Sequence, residues 1–202
     1  MSVCPARIAA AAALVLLAGC AATPPSHFYT VSGPEAPPSV ASALTIAVGP
    51  VTVPGVVDRP EIALTVGENE VWFDEFNRWA SPLADAIAIA TAQNLAADLG
   101  APRVMTLGQA QPGGADYAVA IEVQRFDSVQ GSYALLDAVY TVRRNTDGRT
   151  TIGRATFRET ASDRSYEALA AAHSRAVAHM SRDIAQALRG IAALPVTPPP
   201  AR

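Results

Sequence analysis

Hydrophobic residues recur along the chain with two different periods. Between Tyr117 and Val123 every second residue is apolar, which is the pattern of a strand with one buried and one solvated face. Gly49-Pro50 divides another apolar segment and predicts a bulge or an edge position there. The predicted strands cover residues 28–31, 45–53, 62–66, 71–73, 104–107, 117–124, 136–142 and 152–159.

Two longer segments have helical spacing. The first begins at Ser81-Pro82, with Ser81 predicted as the N-cap and Pro82 as the first helical residue, and it ends at Gly100. The second covers about 165–191 and carries one apolar stripe at spacings of three and four residues. The order strands, helix, strands, helix predicts an α+β fold: a mixed, mostly antiparallel sheet with two main helices packed on one face.

The N-terminal segment predicts export and lipidation. Arg7 precedes a short apolar run that is too short to span a bilayer, and Leu17-Ala18-Gly19-Cys20 follows. We interpret this as a lipobox, with residues 1–19 as a signal peptide and Cys20 as the lipidation site. The alternative is an ordinary signal peptide with a chance cysteine. No other cofactor is expected beyond the covalent diacylglycerol and the N-acyl chain on Cys20, which together suffice for stable anchoring.

The remaining chain divides simply. Residues 20–26 are interpreted as a lipidated tether, 27–194 as one domain, and 195–202 as a disordered, proline-rich tail. Half of the residues are hydrophobic, which is enough for a core. Ala21 follows the lipidation site where an Asp would be the usual inner-membrane retention signal. We therefore expect anchoring at the outer membrane, facing the periplasm.

Charge and cysteine content exclude several functions. Cys4 lies in the segment to be removed, so no internal disulfide is expected in the mature chain. Removing Arg7 leaves 15 − 1 = 14 arginines against 18 acidic residues, and the longest basic run is Arg143-Arg144. Electrostatic binding to nucleic acid or to anionic lipid headgroups is therefore disfavoured.

Reactive side chains form no recognisable catalytic or metal-binding motif. His173 and His179 are six residues apart, so they point in different directions on a helix, and His173 is expected at the edge of the core. Asp74 and Glu75 are adjacent, so on a strand they face opposite ways. We expect a protein without enzymatic activity and without a metal site.

Two segments are unusual for their composition. Residues 73–83 place three aromatic side chains before the first helix, and we interpret them as a core anchor in preference to a ligand site. Residues 53–62 form a loop with a charged pair between prolines, which is the best candidate for a partner-binding surface. The alternative is a turn in which the Asp and the Arg satisfy each other. The predicted partner-binding residues are Val56, Val57, Asp58, Arg59 and Pro60.

These same segments resemble the PqiC-like family of ABC-type transport auxiliary lipoproteins. The shared order is Val-x-Val-Pro, then Asp-Arg-Pro-x-Ile, then Arg-Trp-Ala-x-Pro-Leu, and the resemblance covers residues 28 to about 107. Val56-Val57 stands where the family usually has an aromatic-Leu pair. The matching residues are Val51, Val53, Pro54, Asp58, Arg59, Pro60, Ile62, Arg78, Trp79, Ala80, Pro82 and Leu83.

The resemblance implies a function and partners. It implies an outer-membrane lipoprotein that works with an MCE-domain protein and the subunits of an inner-membrane ABC transporter, in a system that moves lipids between the two membranes. Self-association of the chain is left open. The alternative is a structural envelope lipoprotein that binds peptidoglycan or an outer-membrane assembly partner.

Overall fold

The fold consists of eight strands and two helices in the part of the chain that the structure describes. The computed structural model describes residues 24–34, 44–100, 103–107 and 114–196. The elements are β1 (His27–Tyr29), β2 (Thr45–Thr52), β3 (Glu61–Thr65), β4 (Val71–Trp79), α1 (Leu83–Asp98), β5 (Arg103–Thr106), β6 (Tyr117–Val129), β7 (Tyr133–Arg144), β8 (Thr150–Thr160) and α2 (Tyr166–Ala193).

Five of the strands form the larger sheet, in the order β5-β2-β6-β7-β8. Strand β2 runs parallel to both of its neighbours, whereas β6, β7 and β8 form an antiparallel meander. The register between β2 and β6 shifts between Val48 and Val51, so Gly49-Pro50 produces the predicted bulge, inside the sheet and not at its edge. Helix α1 packs on β2 and β5, and α2 packs on β7, β8 and α1. Both helices therefore cover one face, and the predicted fold class is confirmed.

The other three strands form a separate sheet, in the order β1-β4-β3. Strand β1 is parallel to β4, and β3 pairs with β4 as a hairpin, in which the N–H groups of Val66 and Gly67 donate to the carbonyl of Glu70. The hydrophobic pattern predicted these strands but not their division between two sheets. The apolar residues of the smaller sheet, such as Ile62 and Leu64, join the same core as those of the larger one.

The start of α1 differs from the prediction. Pro82, not Ser81, is the N-cap residue, with a ψ of 130° and no side-chain cap hydrogen bond, and the first helical residue is Leu83. The extended Pro82 moves Ser81 one position away from the free N–H groups that it was expected to cap. Helix α2 shows the capping geometry instead, because the backbone N–H of Ala168 donates to Ser165 Oγ at 3.0 Å.

A buried arginine joins the end of α2 to the β7–β8 turn. Arg144 is 3% exposed, and its guanidinium contacts both carboxylate oxygens of Asp147, at 3.0 and 2.5 Å. The same group donates to the carbonyl oxygens of Ile191, Leu194 and Pro195, at 3.0, 2.8 and 3.0 Å. The sequence showed Arg144 only as part of a short basic run, whereas the structure makes it the cap of the last helix.

Several predicted segments lie outside the described residues. These are the signal peptide, the lipidation site Cys20, the first part of the tether, and residues 197–202 of the predicted tail. Neither helix of the described ranges is long and apolar enough to cross a membrane.

Candidate functional site

The two segments singled out in the sequence meet in space. The loop after β2 and the junction between β4 and α1 form the walls of one cleft of about 340 Å³. The backbone N–H of Trp79 donates to the carbonyl of Pro60 at 2.7 Å and joins the two walls directly. The residues that line this cleft are Asp58, Arg59, Pro60, Trp79, Ala80, Ser81 and Pro82.

The loop wall is held in one conformation. The N–H groups of Val57 and Asp58 both donate to the carbonyl of Pro54, at 2.9 and 3.1 Å, and close a tight turn. Val57 is 5% exposed, so its side chain fixes the loop to the core and does not face a partner. The other four predicted partner-binding residues, Val56, Asp58, Arg59 and Pro60, are exposed. Their role in binding stays a prediction.

Arg59 pairs with a residue that the sequence analysis did not single out. Its Nε donates to Glu61 Oε2 at 3.0 Å, and its guanidinium lies 3.7 Å from the centre of the Phe73 ring. The alternative interpretation, in which Asp58 and Arg59 satisfy each other, is therefore wrong. Side chains two residues apart on an extended segment share a face. The spacing of Arg59 and Glu61, on either side of Pro60, could therefore have indicated this pair from the sequence.

Glu61 stands between two arginines. Arg78 Nη2 lies 3.5 Å from Glu61 Oε1, on the other side from Arg59. The hydrogen bond from Arg59 lowers the pKa of Glu61, with the charge of Arg78 acting in the same direction. Glu61 therefore remains a carboxylate in neutral solution and keeps both guanidinium groups in place.

The terminal amino groups of Arg59, Nη1 and Nη2, donate no hydrogen bond in the described ranges. Its Nε donates to Glu61, and one face of its guanidinium lies on the Phe73 ring. A guanidinium edge can receive a carboxylate in two parallel bonds. The cleft thus offers an oriented cation beside the apolar walls formed by Pro60 and Pro82.

Trp79 forms the floor of the cleft. It is 5% exposed and meets Phe126 and His173 edge-on, with ring centroids 6.0 and 6.1 Å apart. This agrees with the interpretation of the aromatic segment as a core anchor.

The ring beneath Trp79 belongs to His173, which lies inside the core and not at its edge, where the sequence analysis expected it. His173 is 0% exposed, stacks on Phe126 at 3.7 Å, and its Nε2 lies 2.8 Å from Ser128 Oγ. Its Nδ1 has no hydrogen-bond partner among the described residues. Burial lowers the pKa of His173 to about 3, so the imidazole is neutral in the folded protein. Ser128 is 2% exposed as well, so this pair supports the floor and does not reach a substrate.

A buried carboxylate sets the direction of β4 before it reaches the cleft. Ile62 pairs with Asp74 and Glu61 pairs with Arg78, so β4 holds three extra residues between these rungs. Asp74 Oδ1 accepts the N–H groups of Phe76 and Asn77, at 2.9 and 3.1 Å. Asp74 is buried and Glu75 is exposed, as their opposite orientations predicted.

The same carboxylate ties β4 to the start of α2. Tyr166 donates its hydroxyl to Asp74 Oδ2 at 2.6 Å. Burial raises the pKa of Asp74, but the hydrogen bonds from Tyr166, Phe76 and Asn77 together outweigh it, and the pKa is lower than usual. Asp74 is therefore ionised at neutral pH and holds Arg78 and Trp79 at the cleft.

Metal binding finds no support in the described ranges. They contain no group of three or more His, Cys, Asp or Glu side chains placed to hold an ion.

Comparison with solved structures shows the fold. A crystal structure of an uncharacterised protein superposes with a TM-score of 0.67 at 16% identity, over 82% of this chain and 99% of the other. A protein from Xanthomonas campestris gives a TM-score of 0.59 at 19% identity, over 79% and 91% of the two chains.

The sequence itself decides the family. No curated protein matches the chain. The profile of the family described as the ABC-type transport auxiliary lipoprotein component matches residues 29–185, which include both walls of the cleft. The chain therefore belongs to the family of ABC-type transport auxiliary lipoproteins, as its motifs indicated.

Proposed function

We propose that this protein is an outer-membrane lipoprotein, held at the periplasmic face through Cys20, and a non-catalytic docking component of an MCE/ABC-type lipid transport system. The observation that carries the proposal is the convergence of the two family motifs on one cleft. Membership in a family of transport auxiliary lipoproteins supports an anchored component that works beside a transporter.

The cleft is suited to docking because its parts are ordered before a partner arrives. The turn at Pro54, the buried Val57 and the Glu61–Arg59–Phe73 stack fix the loop wall. Ordering a surface in advance lowers the entropic cost of binding. A partner fits this cleft if it places a carboxylate against the two terminal amino groups of Arg59 and an adjacent apolar side chain between Pro60 and Pro82.

The anchoring part of the proposal predicts where the protein is found. We expect the mature chain in the outer-membrane fraction, because residue 21 is Ala and not Asp. Cys20→Ser should leave the chain without acyl groups and outside that fraction, because the thiol is the attachment point. Membrane fractionation with mass spectrometry of the N-terminal peptide measures both. Recovery of the parent in the inner-membrane fraction would contradict outer-membrane anchoring.

The docking part predicts the effect of changing Arg59. Arg59→Gln should weaken binding to the purified MCE-domain partner by about 2 kcal/mol, roughly 30-fold in Kd, which is the scale of an interfacial hot spot. The loss follows from removing the charge and the two terminal amino groups, while a shorter polar side chain remains. Titration calorimetry measures Kd, and a melting curve checks the fold.

Arg158 provides the matched control. It also stacks on an aromatic ring, 3.6 Å from the centre of Tyr133, but it lies on β8 in the other sheet. Arg158→Gln should therefore leave Kd unchanged. Equal Kd values for Arg59→Gln and the parent, both folded, would place the docking surface elsewhere.

A further inference from the structure

The turn end of the β3–β4 hairpin exposes large apolar side chains. Val66, Val71 and Trp72 are 54%, 40% and 53% exposed, and we call these three residues the hairpin tip. Trp79, at the other end of the same strand, is only 5% exposed. Val71 and Trp72 are consecutive in β4 and face opposite sides of the hairpin, so the tip carries an exposed apolar side chain on each side. Large apolar side chains exposed together at one end of an element mark a contact with a protein or a membrane.

The strand register determines where the lipid tether leaves the domain. His27, Phe28 and Tyr29 pair in parallel with Asn77, Arg78 and Trp79. β1 therefore lies beside the last three residues of β4 and runs in the same direction, so its N-terminal end points back along β4 toward the hairpin tip. Most of the length of β4 separates the start of β1 from the hairpin tip, because β4 begins directly after the β3–β4 turn.

The length of the tether is compatible with contact between the hairpin tip and the membrane. Glu61 lies on the rung beside β1, and five residues separate it from Val66, which is roughly 17 Å of extended strand. Cys20 precedes His27 by seven residues, which reach at most about 25 Å. The acylated residue can therefore lie at the bilayer surface while the tip touches it.

We infer that the hairpin tip lies in the interfacial layer of the bilayer that holds the acyl chains of Cys20; this rests on the proposed anchoring at that residue. Trp is favoured at membrane interfaces because its large ring is apolar while its N–H reaches polar groups. The anchor keeps the tip close to the surface, so a weak contact is sufficient to hold one orientation.

The charges of the turn define the kind of surface. Glu68 and Glu70 are exposed next to the tip, and the mature chain has more acidic than basic residues. Carboxylates are repelled by anionic headgroups, so the surface is a zwitterionic phospholipid layer.

This contact would orient the cleft. The cleft is built where β3 begins and β4 ends, which is the opposite end of the small sheet from the hairpin tip. With the tip on the membrane, the cleft is at the end of the small sheet farther from the bilayer, where a partner in the periplasm can reach it.

Tryptophan fluorescence tests the inference, because the chain has only two Trp residues. Acylated full-length mature protein is reconstituted in phosphatidylcholine–phosphatidylethanolamine vesicles whose acyl chains carry bromine, a contact quencher. We expect quenching in the parent and none in Trp72→Phe, which retains only the buried Trp79. Val66→Ser with Val71→Ser should retain the fluorophore but lower its quenching at least twofold.

Ile152→Ser is the matched control. Ile152 is 69% exposed on β8, in the other sheet, and Ile152→Ser should quench like the parent. Acylated, folded parent without quenching would overturn the inference and leave the Cys20 anchor intact. Absence of acylation would remove the anchor, and the inference with it. Shielding of Trp72 from acrylamide that rises with protein concentration, without vesicles, would identify a second copy as the occupant and also overturn it.

Discussion

Trp79→Ala is expected to lower the free energy of unfolding by about 3–5 kcal/mol, the cost typical of removing a buried aromatic ring. The ring is 5% exposed and packs on Phe126 and His173, so its removal opens a cavity under the cleft. Trp72→Ala provides the comparison on the same strand. Trp72 is 53% exposed, and its loss should cost less than about 1 kcal/mol.

Urea unfolding of the two variants beside the parent measures both values. Near-equal midpoints for Trp79→Ala and Trp72→Ala would contradict the assignment of Trp79 as the floor. Trp79→Phe should fall between the parent and Trp79→Ala, because it retains part of the aromatic contact.

Acidification is expected to destabilise the protein through His173. Burial lowers its pKa to about 3 in the folded chain, against about 6.5 when it is unfolded. Because the unfolded chain binds the proton more readily, the contribution of His173 is fully present above pH 6.5 and is lost as the pH falls toward 3. Between pH 7 and pH 4 this one residue should remove about 3 kcal/mol.

A paired replacement isolates that effect from other titrating groups. Ser128→Ala with His173→Phe removes both partners of the buried contact and retains a ring on Phe126. The difference in unfolding free energy between parent and variant should shift by about 3 kcal/mol from pH 7 to pH 4. Asp74 and Asp137, whose pKa values are lowered, lose their contributions at low pH in both proteins and cancel. A difference that does not change with pH would show that His173 accepts a proton in the folded state.

The secondary structure was readable from the sequence because periodicity reports which faces are buried. The alternation predicted the start of β6 but ended the strand five residues early, and the apolar stripe predicted both ends of α2 within two residues. Pairing between distant strands leaves no such local signal, so the separation of β1, β3 and β4 into their own sheet was not predicted. The cap of α1 was misplaced by one residue because the conformation of Pro82 depends on the strand that leads into it.

The sequence singled out the two walls of the cleft but not the contacts within it. The loop and the aromatic segment were both singled out, and Trp79 was recognised as an anchor. The pairing of Arg59 with Glu61 and Phe73 depends on how β3 and β4 come together, and the sequence offered Asp58 as the nearer partner. The burial of His173 depends on Phe126 of β6, which is distant along the chain.

The parallel pairing of β1 and β4 has a mechanical consequence. A pull exerted on the domain through its lipid acts on the N-terminal end of β1 and along its axis. The bridging hydrogen bonds are then loaded together in shear, and they do not peel apart one at a time. Tyr29 adds a side-chain bond to Asn77 at 3.0 Å, and its carbonyl accepts the N–H of Ala80 at 2.7 Å. A tension on the N-terminal end of β1 is thus transmitted across β4 to Trp79, which lies at the cleft.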